Sequence, residues 1–413
     1  MLPSDIPVLE SFSAQDVSGK DSRTIPSSAI GIIDTLLAEA IDRGASDIHL
    51  IPQRAGVRVR MRIDGLLEDV HSLPQSIHPS LLARIKILAG LRTDEHFAAQ
   101  DGRFVFRTLS AESDIRVSIV PTYHGENAVL RVLTTSQDSL TLKNLGCKDS
   151  HQLLLTRSLE RANGMILATG PTGSGKTTLL YALLHLLDTH TRSIVTLEDP
   201  IEYSLPGISQ VPVNAERGLG FANGLRSVLR QDPDVIMIGE VRDAETARLA
   251  ANAALTGHLV LSTLHTNDAV STIPRLVDLG IEPYLIASTL RLIVAQRLVR
   301  RICDTCREES EPLERDIERV RMQIGEKVSG SNIFFAGRGC EACRGTGYRG
   351  RTGIFEVLSV DDSLRETMLA RSNLKDMRGV ADASGMLPMM GDGIEKARKG
   401  ITTIEEIART AYA

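Results

Sequence analysis

Tryptophan is absent from this 413-residue chain, and aromatic residues make up only 3% of it. Any core is therefore aliphatic, and platforms for stacking single-stranded bases are scarce. An excess of one charge is also missing: 47 Lys and Arg face 52 Asp and Glu, a formal net charge of −5. That balance offers nucleic acid no overall attraction, although the basic run 54–62 could still face a phosphate. No hydrophobic run approaches the roughly 18 residues of a membrane span. The opening stretch MLPSDIPVLESFSAQDVSGKDS has neither the basic nor the apolar region of a signal peptide, so a cytoplasmic protein is expected. Five cysteines are too few for a disulfide scaffold of this size, and four of them form two C-x-x-C pairs. What is present, 42% hydrophobic and 24% charged residues, is ordinary globular protein long enough for two or three domains.

Residues 1–26 are rich in Ser, Asp and Pro, show no periodicity, and read as a disordered tail. Residues 29–42 carry apolar side chains at helical spacing, and Gly44 stops that helix. Residues 47–51 and 57–63 read as strands. In the second, Val57, Val59, Met61 and Ile63 alternate with Arg58, Arg60 and Arg62, giving one apolar and one cationic face. A helix at 81–91 and strands at 103–107, 114–120 and 128–133 complete a small α+β domain over 27–133. The polar stretch 134–146 reads as a hinge linker. Strands and helices then alternate: a strand at 165–169, a helix at 177–187, strands at 193–197 and 235–238, a helix at 244–254 and a strand at 259–263. That order predicts an α/β sheet over 147–300 with ligand at the strand ends. Residues 301–358 lose the rhythm and hold the four paired cysteines, while 359–413 reads as helices.

Gly170-Pro171-Thr172-Gly173-Ser174-Gly175-Lys176-Thr177-Thr178 fits a phosphate-cradling P-loop in full, between a strand and a helix. The glycines let backbone N–H groups turn to the phosphates, the helix start adds a positive dipole end, Lys176 reaches the β and γ phosphates, and Thr177 offers a hydroxyl to Mg2+. ATP and Mg2+ are the expected cofactors. The apolar strand 235–238 leads to Glu240, a carboxylate placed to hold magnesium beside the γ phosphate. Glu198, Asp199 and Glu202 crowd another strand end, either as a solvated acidic turn or as a cluster that polarises the attacking water. His258 and His265 flank a further strand, where a lone histidine is more often packed or on the surface. Arg226 and Arg230, four apart on a helical stretch, form surface pairs or bring cations to the triphosphate as arginine fingers do. Cys303, Cys306, Cys340 and Cys343 form two thiolate knuckles. Together they satisfy structural, tetrahedral Zn2+, free or redox-active thiols being the alternative. Cys147 stands alone and reads as inert.

Taken in order, these residues resemble the bacterial secretion ATPase family that holds the type II secretion ATPases of the GspE and PulE kind and the type IV pilus assembly and retraction ATPases. The resemblance runs over about 27–410. In the first domain it rests on Ser46-Asp47-Ile48-His49, on Arg60-x-Arg62-x-Asp64-Gly65 and on Gln100-Asp101-Gly102-Arg103. Beyond the P-loop it rests on Glu198-Asp199-Pro200-Ile201-Glu202-Tyr203, on Arg230-Gln231-Asp232-Pro233-Asp234 running into Gly239-Glu240-Val241-Arg242-Asp243, and on Thr256-Gly257-His258 through Leu264-His265-Thr266-Asn267.

The resemblance implies a RecA-like P-loop ATPase domain preceded by a PAS-like α+β domain, with a tetracysteine zinc element and a helical C-terminus. It implies Glu202 as the water-activating carboxylate, Glu240 as the second-strand acid, and His258 and His265 near the γ phosphate. Arg103, Arg116 and Arg131 match arginines that the family's first domain swings toward the nucleotide, with Arg226 and Arg230 adding charge. A homo-hexameric ring is implied, in which domain closure is the power stroke. The tetracysteine element, followed by Gly345-Thr346-Gly347-Tyr348-x-Gly350-Arg351-x-Gly353-Ile354-Phe355-Glu356, resembles the secretion and pilus-extension branches. Two departures stand out. The family's long N-terminal docking domain is replaced by the 1–26 tail, and residues 92–99 (RTDEHFAA) differ from the usual basic segment. The expected function is ATP hydrolysis that powers pseudopilus assembly in type II secretion, with a pilus-extension motor as the alternative and a nucleic-acid translocase behind it. The expected partners are inner-membrane platform proteins, through which alone the chain would meet the membrane, and not nucleic acid.

Overall fold

The computed structural model describes residues 8–10, 28–108, 112–134, 140–324 and 333–411. They divide into two compact units, Met1–Gln137 and Asp138–Ala413. In the first, helix α1 (Ala29–Asp42) starts where the Ser28 hydroxyl accepts the Gly31 N–H, and it buries Ile32, Ile33, Leu36, Leu37 and Ala40. A seven-stranded sheet takes the order β1-β5-β6-β7-β2-β3-β4. Its strands are β1 (Val8–Glu10), β2 (Ala45–Gln53), β3 (Gly56–Ile63), β4 (Leu66–Leu73), β5 (Gln100–Arg107), β6 (Glu112–Thr122) and β7 (Gly125–Thr134). Helix α2 (His78–Leu88) joins α1 over the core formed by Val57, Val59, Met61, Phe104, Phe106, Ile115 and Leu130.

Three expectations about this unit change. Residues 8–10, read as part of a tail, form an edge strand parallel to Val105–Arg107. Strand β4 went unrecognised because LLEDVHSL alternates poorly. The cationic face of β3 exists but is largely neutralised, since Asp69 pairs with both Arg58 and Arg60 and Asp47 stands 3.6 Å from Arg62.

The second unit is built on a seven-stranded mixed sheet of order β10-β9-β11-β12-β8-β13-β16. These strands are β8 (Gly164–Thr169), β9 (Ile194–Glu198), β10 (Ser209–Pro212), β11 (Val235–Ile238), β12 (Leu259–Leu264), β13 (Leu290–Ile302) and β16 (Tyr348–Ser359). The first six run parallel, and β16 returns antiparallel to β13. Helices α3 (Asp149–Leu159), α4 (Lys176–Leu184), α5 (Phe221–Val228), α6 (Ala244–Leu255), α7 (Thr272–Asp278) and α8 (Pro283–Thr289) connect them. Strands 8, 9, 11 and 12 are buried along their whole length, as strands covered on both faces must be.

Two expected boundaries shift here. Of the hinge read at 134–146, residues 135–139 lie outside the described residues, and the later part is no free linker. Leu142 and Cys147 are in the second unit's core, and the Gly353 N–H donates to the Leu145 carbonyl at 2.8 Å. The zinc element read at 301–358 is narrower. Residues 348–359 are strand β16 of the main sheet, so the cysteines sit in an excursion between the two arms of a long hairpin. That excursion holds the ribbon β14 (Arg307–Ser310) with β15 (Phe334–Gly337) and the helix α9 (Glu314–Ile324). Four helices, α10 (Asp362–Leu369), α11 (Leu374–Ala383), α12 (Met389–Arg398) and α13 (Ile404–Ala411), finish the chain.

Candidate functional site

Every parallel strand of the second sheet ends on the same side, and the site residues follow those ends. After Thr169 on β8, Gly170, Gly173 and Gly175 all have positive φ. At Gly170 (φ 146°) the requirement is absolute, because a Cβ would lie 2.4 Å from the Gln296 carbonyl oxygen. Ser174 is buried, Pro171 and Thr172 are exposed, and Thr177 and Thr178 stand half-buried on the first turn of α4. Lys176 is 8% exposed. Its Nζ donates to the Gly170 and Pro171 carbonyls at 2.9 and 3.0 Å, so an ammonium is stored where the loop would wrap phosphates. Burial pushes its pKa down to about 8, against the opposing pull of Glu240.

Glu240 follows β11 and is placed by two hydroxyls of β12: Ser262 Oγ donates to the Ile238 carbonyl at 2.8 Å and Thr263 Oγ1 to the Gly239 carbonyl at 2.7 Å. One Glu240 oxygen lies 2.7 Å from Arg242 Nε and 3.6 Å from His265 Nε2. His265 follows β12. Burial and the charge of Lys176 hold its pKa below the usual imidazole value, favouring the neutral ring. Thr169 ties the phosphate loop to this end of β12, since its hydroxyl accepts the Thr266 N–H at 2.9 Å. Lys176, Glu240 and His265 are thus one constellation, a cation and an acid flanking a phosphate loop. Arg242 and Thr266 belong beside it. Neither stood out in the sequence, where each is one polar residue in a motif.

The other expected residues divide. Of the acidic cluster, Glu198 is no free carboxylate: it is 2% exposed and takes hydrogen bonds from Tyr181, Thr196 and Gln210. Asp199 is exposed, and Glu202 is half-buried with its N–H donating to the Tyr181 hydroxyl of α4 at 3.3 Å. His258 is corrected. It precedes β12, whose Leu259 pairs with Gly164 and whose Leu264 pairs with Thr169, so it lies a full strand, roughly 20 Å, from the loop that follows Thr169. There its Nδ1 bonds the Ala253 carbonyl at 3.0 Å. Arg226 pairs with Glu245, and Arg230 donates to the Arg226 carbonyl at 2.9 Å.

In the first unit the structure brings Arg103, Arg116 and Arg131 together. They are in-register neighbours on β5, β6 and β7, followed by Asp47 on β2, which pairs with Arg131 at 3.2 Å.

The four paired cysteines converge, their Sγ atoms all within 4.8 Å of one another and the bonded pairs at 3.7–3.8 Å. Sulfurs about 2.3 Å from a tetrahedral Zn2+ stand about 3.8 Å apart, so this cluster fits the ion. The Cys340 and Gly347 N–H groups donate to Cys343 Sγ at 3.1 and 3.2 Å, which favours thiolate there.

The family model described as "Type II/IV secretion system protein" matches residues 25–409. The chain is 47% identical over 380 residues to the type II secretion system protein HxcR of Pseudomonas aeruginosa, covering 92% of this chain and 76% of that one. It is 42% identical over 385 residues to the type IV pilus assembly ATPase PilB of Thermus thermophilus, covering 93% of this chain and 43% of that one. Among solved structures, the pilus retraction motor PilT with bound ADP matches at TM-score 0.62 and 27% identity, covering 92% and 96% of the two chains. With a family match over nearly the whole length, and a phosphate loop, a following-strand acid and a cysteine cluster in their places, the chain belongs to the type II/IV secretion system protein family as an ATP hydrolase on a RecA-like core.

Proposed function

We propose that the chain is a hexameric cytoplasmic motor that hydrolyses ATP to drive pseudopilus assembly for type II secretion. The observation that carries this is the joint placement of Lys176, Glu240 and His265 around a full phosphate loop in a chain 47% identical to a type II secretion protein. Lys176 turns from the loop carbonyls to the β and γ phosphates, and the glycine turns and the start of α4 supply backbone N–H groups. Thr177 and Glu240 would hold Mg2+, which would supply charge neutralisation at the phosphates. Glu202 orients the attacking water, and the neutral His265 lies beside the acid that faces the γ phosphate. The arginine row of the first unit offers guanidinium groups to phosphate. Cys303, Cys306, Cys340 and Cys343 would hold Zn2+ in a structural role, since together they offer four sulfur ligands. Inner-membrane platform proteins are the partners, and nucleic acid is not among them.

Pilus extension is the second reading, favoured by the 42% identity to a pilus assembly ATPase. Magnesium-dependent turnover of the purified chain tests the motor. Lys176→Ala is expected to lose nearly all hydrolysis and Glu240→Gln on the order of a hundredfold. Unchanged turnover in either variant would sink the assignment. Complementation of a strain lacking the gene separates the two readings, since restored protein export supports secretion and restored surface pili support extension.

A further inference from the structure

Strand β13 runs past the end of β8. Ala295 pairs with Thr169, so Gln296 lies alongside Gly170 where the phosphate loop begins. Its carbonyl oxygen is 2.4 Å from where a Cβ at Gly170 would stand, and its Nε2 is 2.8 Å from where one at Gly175 would stand. The Gln296 backbone thus lies against the loop's first glycine and its side-chain amide beneath Gly175, the residue that caps α4. Gln296 is 0% exposed, and both its Nε2 and Oε1 lack a hydrogen-bond partner among the described residues. A second such group adjoins it: Ser174 is 4% exposed, its Oγ is unpartnered, and that Oγ is 2.7 Å from the Gly170 Cβ position. An idle buried amide is costly, and an apolar side chain of the same size would avoid the cost. The neighbouring strand residues Leu292, Ile293, Val294 and Ala295 are all apolar.

The stored position of Lys176 supplies a reason for the amide. While its Nζ satisfies the Gly170 and Pro171 carbonyls, the loop needs no other donor. When phosphates draw the ammonium away, the buried Gly170 carbonyl and the part-buried Pro171 carbonyl lose their donor. Gln296, beneath the same loop at Gly175, carries two N–H donors and one acceptor.

We propose that Gln296 is a positioning residue for nucleotide binding: its amide bonds the loop backbone and the Ser174 hydroxyl once Lys176 turns to the phosphates, and so fixes the loop in its phosphate-holding form. The proposal rests on the ATP-site reading above. Its test is ADP titration calorimetry on the full chain, alongside the melting temperature without nucleotide. Gln296→Met is expected to melt at or above the wild-type temperature and to bind ADP about tenfold more weakly. Ser174→Ala and Gln296→Met are expected to be non-additive in ADP affinity.

Wild-type affinity in Gln296→Met, or additive losses in the cycle, would overturn the proposal while leaving the ATP site intact. A lower melting temperature in parallel with weaker binding would assign the amide to the fold and overturn it too. If Gln296→Met does not fold, Gln296→Leu repeats the measurement, and failure of both to fold counts against the proposal in the same way. Wild-type protein that bound no ADP would overturn the site reading itself and the proposal with it.

Discussion

At the scale of single residues, burial decides which ionisable groups do chemistry and which only constrain the fold. Lys176 and Glu198 are comparably buried. Lys176 keeps a backbone-bound ammonium that phosphates can recruit, whereas Glu198 is locked by a tyrosine, a threonine and a glutamine. His151 on α3 belongs with the second kind. It is 4% exposed, its Nδ1 has no partner among the described residues, and burial together with Lys148 and Lys396 pushes its pKa down to about 4, Glu395 opposing. The unfolded chain takes up this proton near pH 6.5. Between pH 6.5 and 4 the unfolded state therefore binds more protons, and stability present above 6.5 is lost as the pH falls through that window. In His151→Gln the melting temperature is expected to depend less on pH across the window, by on the order of a few degrees. Calorimetric scans at several pH values check this, and an unchanged slope would assign the window to other groups.

At the scale of elements, the sheet hairpin of β13 and β16 is the part the sequence hid. LRLIVAQRLVRRI is buried on both faces along most of its length, so it lacks the alternation that marks a strand, and an apolar run of this kind is compatible with a buried helix. Strand β16 merges with the cysteine region in the sequence because the glycines and arginines of its first half resemble loop. The knuckles themselves were legible, since C-x-x-C spacing is fixed by ligand geometry rather than by context. One pair follows β13 and the other precedes β16, so a bound metal would close the excursion. Cys340→Ser is expected to lose zinc and to lower the melting temperature through local disorder. Metal analysis per chain with calorimetry checks it, and a variant retaining one zinc and the wild-type melting temperature would contradict a tetracysteine site.

At the scale of the whole molecule, each of the two units has its own core and sheet. The three arginines of the first unit are 13 and 15 residues apart in sequence yet adjacent in the sheet. Like charges on directly opposed strand positions destabilise a sheet; Asp47 offsets this at Arg131, and Asp114 of β6 lies close enough to Arg103 and Arg116 for their charges to act on it. Neutralising Arg103, Arg116 and Arg131 together to glutamine is expected to leave the chain folded, because it opposes no like charges and the core residues Phe104 and Ile115 alternate with this row in the strands. Hydrolysis is expected to fall by at least about tenfold. Undiminished turnover and export would remove the row from the motor mechanism.

The sequence by itself determined the phosphate loop, the strand acid, the cysteine knuckles and the order of domains. Each depends on residues close together in the chain, where backbone geometry and ligand spacing impose a local pattern. Tertiary structure alone decided which charges meet: that Glu198 turns into the core, that His258 stands a strand's length from His265, that Arg226 pairs with Glu245, and that Gln296 underlies the loop. Those outcomes are set by strand register and by burial between segments distant in sequence, which no local spacing encodes.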